Sequence, residues 1–187
     1  DRFEQEIGDG SALGVRVHYV REEVPLGTAG ALGLLPCERI DSPVIVTNGD
    51  LVTDLDFAEL VADHERAGAT VTVCGVEHDT QVLYGVLHTG ADGSLETIEE
   101  KPFRTDLVNA GMYVVAPELL ATVPTDRPSG MPDLIQGALD RGETVNVHRV
   151  RGAWHDIGNL DEFYRVSRKF EAEDRGSSAV TQEESTS

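Results

Sequence analysis

The sequence predicts an α/β fold, and three observations predict it. Strand-like and helix-like stretches alternate through the first half of the chain, the order that builds a doubly wound sheet. Pro43–Thr47 is a continuous apolar run, the pattern of a parallel strand buried on both faces. That run leads straight into Asn48-Gly49-Asp50, so an acid stands at the carboxyl end of a strand, where open α/β sheets bind ligands.

The elements follow in order. Val15–Val20 alternates and reads as a strand. Pro25–Leu32 is a glycine-containing loop running into a short helix. After the strand Pro43–Thr47, Asp56 and Glu59 mark a helix start, an acid at the N-cap with a Glu three residues on. Phe57, Leu60, Val61 and His64 keep helical spacing, and the helix should stop at Ala67-Gly68. Ala69–Val76 is the next strand. The pattern then changes: Gly85–Thr89 and Ser94–Glu99 flank Gly90-Ala91-Asp92-Gly93, a hairpin signature. Ala110–Val115 reads as a strand, Pro117–Thr122 and Asp133–Arg141 as helices, and Thr144–Val150 as a strand. Leu160–Glu173 reads as a final amphipathic helix. Residues 1–172 are expected to form one partial domain, and 173–187 a disordered acidic tail, Ser/Thr/Glu-rich from Gly176. There is no internal repeat and no stretch that reads as an interdomain linker.

Composition narrows the function classes. The chain carries 34 acidic against 15 basic residues, a net charge of −19, and such a surface repels nucleic acid. No apolar run is long enough to span a bilayer. The charged start Asp1-Arg2-Phe3-Glu4 is not a signal peptide, and without an initiator Met it reads as a processed or partial product. Cys37 and Cys74 have no metal-ligand or CxxC spacing, which fits reduced thiols in a cytoplasmic protein. Lys101 and Lys169 are the only lysines. Acid-rich, lysine-poor composition suits a halophilic source, where salt screens self-repulsion. Equal unfolding stability at low and molar KCl would refute that expectation.

Three charged residues stand out. Asp50 is either a metal ligand at a strand end or the last residue of a common Asn-Gly-Asp turn. Asp156, in Trp154-His155-Asp156-Ile157-Gly158, is either a second Mg²⁺ ligand or a capping acid beside a structural Trp. Lys101 follows two acids and precedes a Pro; a compact ammonium serves as a point charge to phosphate, and the alternative is a surface pair with Glu99 or Glu100. Asp54 and Asp56 read as turn and cap residues, and His18, His64 and His155 as structural.

Six stretches, PLGTAGAL (25–32), VTNGD (46–50), YGV (84–86), EEKP (99–102), NAGMY (109–113) and WHDIG (154–158), stand together in order. Over roughly residues 8–170 the chain resembles the sugar-nucleotidyltransferases, such as glucose-1-phosphate thymidylyltransferase and mannose-1-phosphate guanylyltransferase. The resemblance implies a Rossmann-like nucleotide-diphospho-sugar transferase fold with a mixed, mainly parallel sheet. It implies nucleotidyl transfer from an NTP to a sugar 1-phosphate, giving NDP-sugar and pyrophosphate, with Mg²⁺ as cofactor. It assigns Asp50 and Asp156 to the metal and Lys101 to the sugar phosphate. Gly27, Thr28, Asn48 and Gly49 fall to the nucleotide; Tyr84, Gly85, Glu100, Asn109, Gly111 and Trp154 fall to the sugar.

The family opens with a strand and a glycine-rich loop of the type GGxGTRLxPLT, then a Lys, which grip the triphosphate. Nothing in this sequence matches that segment. The expectation is therefore a truncated nucleotidyltransferase domain lacking its N-terminal strand and loop. The second expectation is a non-catalytic sugar-phosphate or nucleotide-sugar binding subunit of a pyrophosphorylase complex. Expected partners are NTP, sugar 1-phosphate, and an N-terminal fragment or homologous subunit, with no nucleic acid and no membrane. A metal-dependent glycosyltransferase of related fold is the weakest reading, because it leaves EKP and WxDIG unexplained.

Overall fold

The buried strands of this protein are the central ones, and their neighbours explain why. In a computed structural model describing residues 2–170, four strands form a mixed sheet: β1 (Val44–Thr47), β3 (Val71–Gln81), β6 (Phe103–Val115) and β7 (Val145–Arg149), in the order β1-β6-β3-β7. β6 and β3 are flanked on both sides, and Val71, Thr72, Cys74 and Ala110–Val115 are buried. β1 stands at an edge and is only half-buried, with alternating exposure. This corrects the expectation of a fully buried strand there: an apolar run marks burial, but not which edge the strand occupies.

Two small antiparallel pairs complete the strands. β2 (Leu51–Thr53) pairs with β8 (Trp154–Asp156), with Leu51 opposite Asp156 and Thr53 opposite Trp154. β4 (Gly85–Thr89) pairs with β5 (Leu95–Glu100), the expected hairpin, with Leu87 opposite Ile98 and Gly85 opposite Glu100. The β2–β8 pair was not foreseen; three-residue strands separated by a hundred residues leave no periodic trace.

The helices are α1 (Arg2–Ile7), α2 (Gly27–Gly30), α3 (Phe57–Ala67), α4 (Pro117–Leu120), α5 (Met131–Asp140) and α6 (160–170). α3 starts as expected: the Asp56 carboxylate accepts the Ala58 and Glu59 amides at 2.8 and 3.2 Å. Val15–Val20 is not a strand. Val15 and Val17 donate their amides locally, to Gly10 and Asp9, and the alternating side chains are largely exposed. Alternation alone makes no strand without a partner to pair with. The far end of the expected last helix and the expected tail 173–187 lie outside the described residues. No helix among the described residues is long and apolar enough to cross a membrane.

The chain forms two compact units that interleave in sequence. The first takes in residues up to Val44, then Ala67–Val71 and Val115–Val145. Its buried side chains include Leu26, Ala29, Leu119, Leu120, Met131 and Leu134. The second takes in Ile45–Arg66, Thr72–Val114 and, among the described residues, 146–170. Its core joins Leu60 of α3 to Cys74, Ala110, Met112, Val114 and Val150, with Leu51, Leu55, Val61, Val76 and Trp154 packed against it. Burial pushes the Cys74 thiol up to about 12, so it stays protonated and inert.

Candidate active site

The second unit brings two acids from distant parts of the sequence to one point. Asp50 ends the turn after β1, and Asp156 ends β8. The β2–β8 pairing sets them side by side, and the Ile157 amide donates to the Asp50 carbonyl at 2.9 Å. Gly158 marks where their carboxylates meet. A Cβ at Gly158 would lie 2.9 Å from Asp50 Oδ2 and 3.0 Å from Asp156 Oδ1. Both acids are exposed. A side chain at Gly158 would push their carboxylates aside.

This donor set fits Mg²⁺, which is commonly held through one or two carboxylates with substrate phosphates completing the shell. Among the described residues, no group of three or more His, Cys, Asp or Glu side chains is placed to hold a metal on protein ligands alone. Two converging, exposed carboxylates match a site that a phosphate completes.

Behind the acids stands a brace built on β6. Gly111 has φ +72°, a left-handed kink inside a strand, and a Cβ there would lie 2.7 Å from Asn48 Nδ2. The Gly111 carbonyl accepts the Asn48 amide at 2.9 Å, and the Ala110 carbonyl accepts Trp154 Nε1 at 2.9 Å. Asn109 holds the kink itself: its Oδ1 accepts the Gly111 amide at 3.0 Å, and its Nδ2 donates to the Tyr113 hydroxyl at 2.8 Å. Asn48, Asp50, Asn109, Gly111, Trp154 and Asp156 therefore form one cluster. Tyr113 is the member that sequence reading missed; as an apolar-looking strand residue it reads as core.

A second cluster lies on the hairpin. Gly85 faces Glu100 across the β4–β5 ladder, and a Cβ at Gly85 would lie 3.0 Å from Glu100 Oε2. Tyr84, 79 % exposed, precedes it, and Lys101 follows Glu100. Lys101 has φ +48°, the single non-glycine residue with positive φ among the described residues. The Lys101 carbonyl accepts Gln81 Nε2 at 3.5 Å, and the Pro102 carbonyl accepts the Val82 amide at 2.9 Å, which tie this turn to the end of β3. Strain of this kind persists where surroundings impose it, and it concentrates at functional positions.

Gly27 and Thr28 lie in the first unit. There Gly27 has φ +81°, and a Cβ would lie 2.7 Å from the Ser129 carbonyl oxygen. Thr28 Oγ1 accepts the Met131 amide at 2.9 Å and caps α5. Both residues thus have complete packing reasons of their own. Asn48 has such a reason too, whereas a Cβ at Gly49 would meet open space. His155 lines a cavity of about 590 Å³ beside Asp156, and its Nε2 is buried with no hydrogen-bond partner among the described residues. Another cavity, of about 650 Å³, is lined by Asp54, Asp56, Glu59, Asp63 and His148. In it His148 Nδ1 sits 2.6 Å from Asp63 Oδ2, and that hydrogen bond, with the neighbouring Arg66, holds the Asp63 carboxyl below its ordinary range. Arg149 and Arg151 line it as well, so its charge is mixed.

Known proteins place these geometries in context. The family described as Nucleotidyl transferase matches residues 1–173. Mannose-1-phosphate guanylyltransferase from Mycobacterium tuberculosis is 32% identical over 171 residues, 88% of this chain and 47% of that protein. The mannose-1-phosphate guanylyltransferase catalytic subunit beta of Xenopus tropicalis is 32% identical over 170 residues, 87% of this chain and 47% of that protein. The crystal structure of HddC from Yersinia pseudotuberculosis superimposes with a TM-score of 0.65 at 25% identity, over 91% of this chain and 74% of that one. The chain spans about half the length of the curated relatives it matches.

Proposed function

This chain belongs to the nucleotidyl transferase family, and from that premise we propose that it is part of the catalytic domain of a sugar-1-phosphate nucleotidyltransferase. The observation that carries the proposal is the meeting of Asp50 and Asp156 at Gly158. The reaction is in-line attack by a phosphate oxygen of the sugar 1-phosphate on the α-phosphorus of an NTP. A P–O bond forms there, the bond to the β-phosphate breaks, and pyrophosphate leaves. Such transfers ask little covalent chemistry of the protein; positioning and charge neutralisation supply the rate.

Asp50 and Asp156 would hold Mg²⁺, which when bound neutralises charge on the α-phosphate. Lys101 fixes the attacking phosphate as a point charge. Glu100 accepts hydrogen bonds from sugar hydroxyls, beside Gly85 and the exposed ring of Tyr84. Asn109, Gly111 and Trp154 shape the floor under the sugar. Gly27, Thr28, Asn48 and Gly49 serve the nucleotide, with Gly49 offering the open backbone. The names of the relatives make GTP and mannose 1-phosphate the first pair to test.

The test is pyrophosphate release with that pair and Mg²⁺, measured on this chain alone and with an N-terminal fragment carrying the family's glycine-rich segment added. Asp50→Asn in the active form is expected to remove Mg²⁺-dependent turnover, and retention of full rate would refute the metal assignment. Because the hairpin cluster of Tyr84, Gly85, Glu100 and Lys101 stands within this chain, a non-catalytic sugar-phosphate binding subunit is the second reading. Binding of sugar phosphate without turnover in any combination of chains would favour it.

A further inference from the structure

We propose that Tyr113 is a positioning residue: through Asn109 it holds the left-handed kink of β6, and the kink holds both segments that carry the paired acids. The inference rests on the reading of Asp50 and Asp156 as metal ligands. The kink offers two successive carbonyls to two different segments. Gly111 O takes the amide of Asn48, two residues before Asp50; Ala110 O takes the indole of Trp154, two residues before Asp156. One strand position thereby sets the spacing of two carboxylates whose segments lie far apart in the chain.

The kink needs support of its own. A residue at φ +72° turns its peptide out of the regular ladder, so the Gly111 amide needs an acceptor elsewhere. Asn109 Oδ1 supplies it. The other end of that amide side chain is fixed by the Tyr113 hydroxyl, on a residue 4% exposed. Packing alone would be satisfied by Phe at this position. A buried hydroxyl survives there because it is hydrogen-bonded, and its removal exchanges the fixed partner of Asn109, an exposed residue, for mobile water. Partners behind metal ligands tune affinity in the same way by fixing ligand orientation.

The experiment compares wild type, Tyr113→Phe, Asn109→Leu and the double variant of the full chain, with Mn²⁺ as the probe. Bound Mn²⁺ is read from the free-ion paramagnetic resonance signal. The component that Asp50→Asn abolishes defines the site on this very acidic surface. Trp154 is the only tryptophan, so its emission reports the indole bond to Ala110 independently. Tyr113→Phe is expected to lower Mn²⁺ affinity at that site by about tenfold, to shift Trp154 emission, and to keep cooperative thermal unfolding. The double variant is expected to lose no more than the worse single, because the two side chains act as one unit. A merely structural role would lower the unfolding temperature and leave Mn²⁺ affinity in place, and that result overturns the proposal. If wild type shows no Asp50-dependent Mn²⁺ uptake, the metal reading falls and the brace falls with it. If Asn109→Leu does not fold, Tyr113→Phe decides alone.

Discussion

β6 is two different strands joined end to end. Its first half, from Phe103 to Leu107, is exposed, and it follows the turn that presents Lys101 beside the hairpin. Its second half, from Ala110 to Val115, is buried, and it carries the kink behind Asp50 and Asp156. The hairpin at the exposed end shows the same character: Leu87 and Ile98 face each other at 59% and 63% exposure. Tyr84, Gly85, Glu100 and Lys101, proposed for the sugar phosphate, therefore stand on a lightly packed arm, and Asp50 and Asp156, proposed for the metal, stand against a core together with the proposed sugar floor. The difference suits the chemistry. A metal pair must be held within a fraction of an ångström, while a sugar site must open to admit and release its ligand.

The comparison breaks most readily at Met112. It is fully buried in the core of the second unit, so Met112→Ala is expected to cost about 2–5 kcal/mol of stability. Chemical denaturation measures it, and a cost like that of a surface residue would show that the core is not where the packing places it. Acid comes next. His64 is buried with Nδ1 3.0 Å from Thr72 Oγ1, and burial holds its pKa below the ordinary 6.5. The unfolded chain therefore binds the proton first. Stability is whole above about 6.5, and falls as pH drops from there toward the lower folded value. His64→Gln is expected to flatten that part of the curve, as read by unfolding midpoints across pH 5–8.

On the exposed arm the effects shrink and can change sign. Lys101→Gly relieves a left-handed residue and is expected to leave stability unchanged or raise it by up to about 1 kcal/mol, while sugar-phosphate binding falls. Loss of both together would mean that Lys101 holds the arm up. Ile98→Ala should cost the least, under about 0.5 kcal/mol. A core-sized loss there would show that the hairpin face is covered.

Much of this was legible in the chain. The helix at Asp56–Ala67, the hairpin and the buried parts of the two central strands follow from caps, turn residues and apolar periodicity. These are local signals, set by backbone sterics and by the need to bury one face. Asp50, Asp156 and Lys101 could be named as candidates because an acid after an apolar run, an acid beside the only Trp and one of only two lysines are unusual for this composition. The edge position of β1, the β2–β8 pair and the absence of a strand at Val15–Val20 could not be named.

Sequence by itself determined the α/β class, the order of elements and the kinds of side chain available for phosphate and metal chemistry, because each depends on neighbours in the chain. Tertiary structure alone decided which of them act together. Asp50 and Asp156 meet at Gly158 only through the pairing of two three-residue strands. Tyr113 gains a role only because Asn109 turns toward it to hold a kink. Both are contacts between groups whose positions are set by packing, and packing has no period to read.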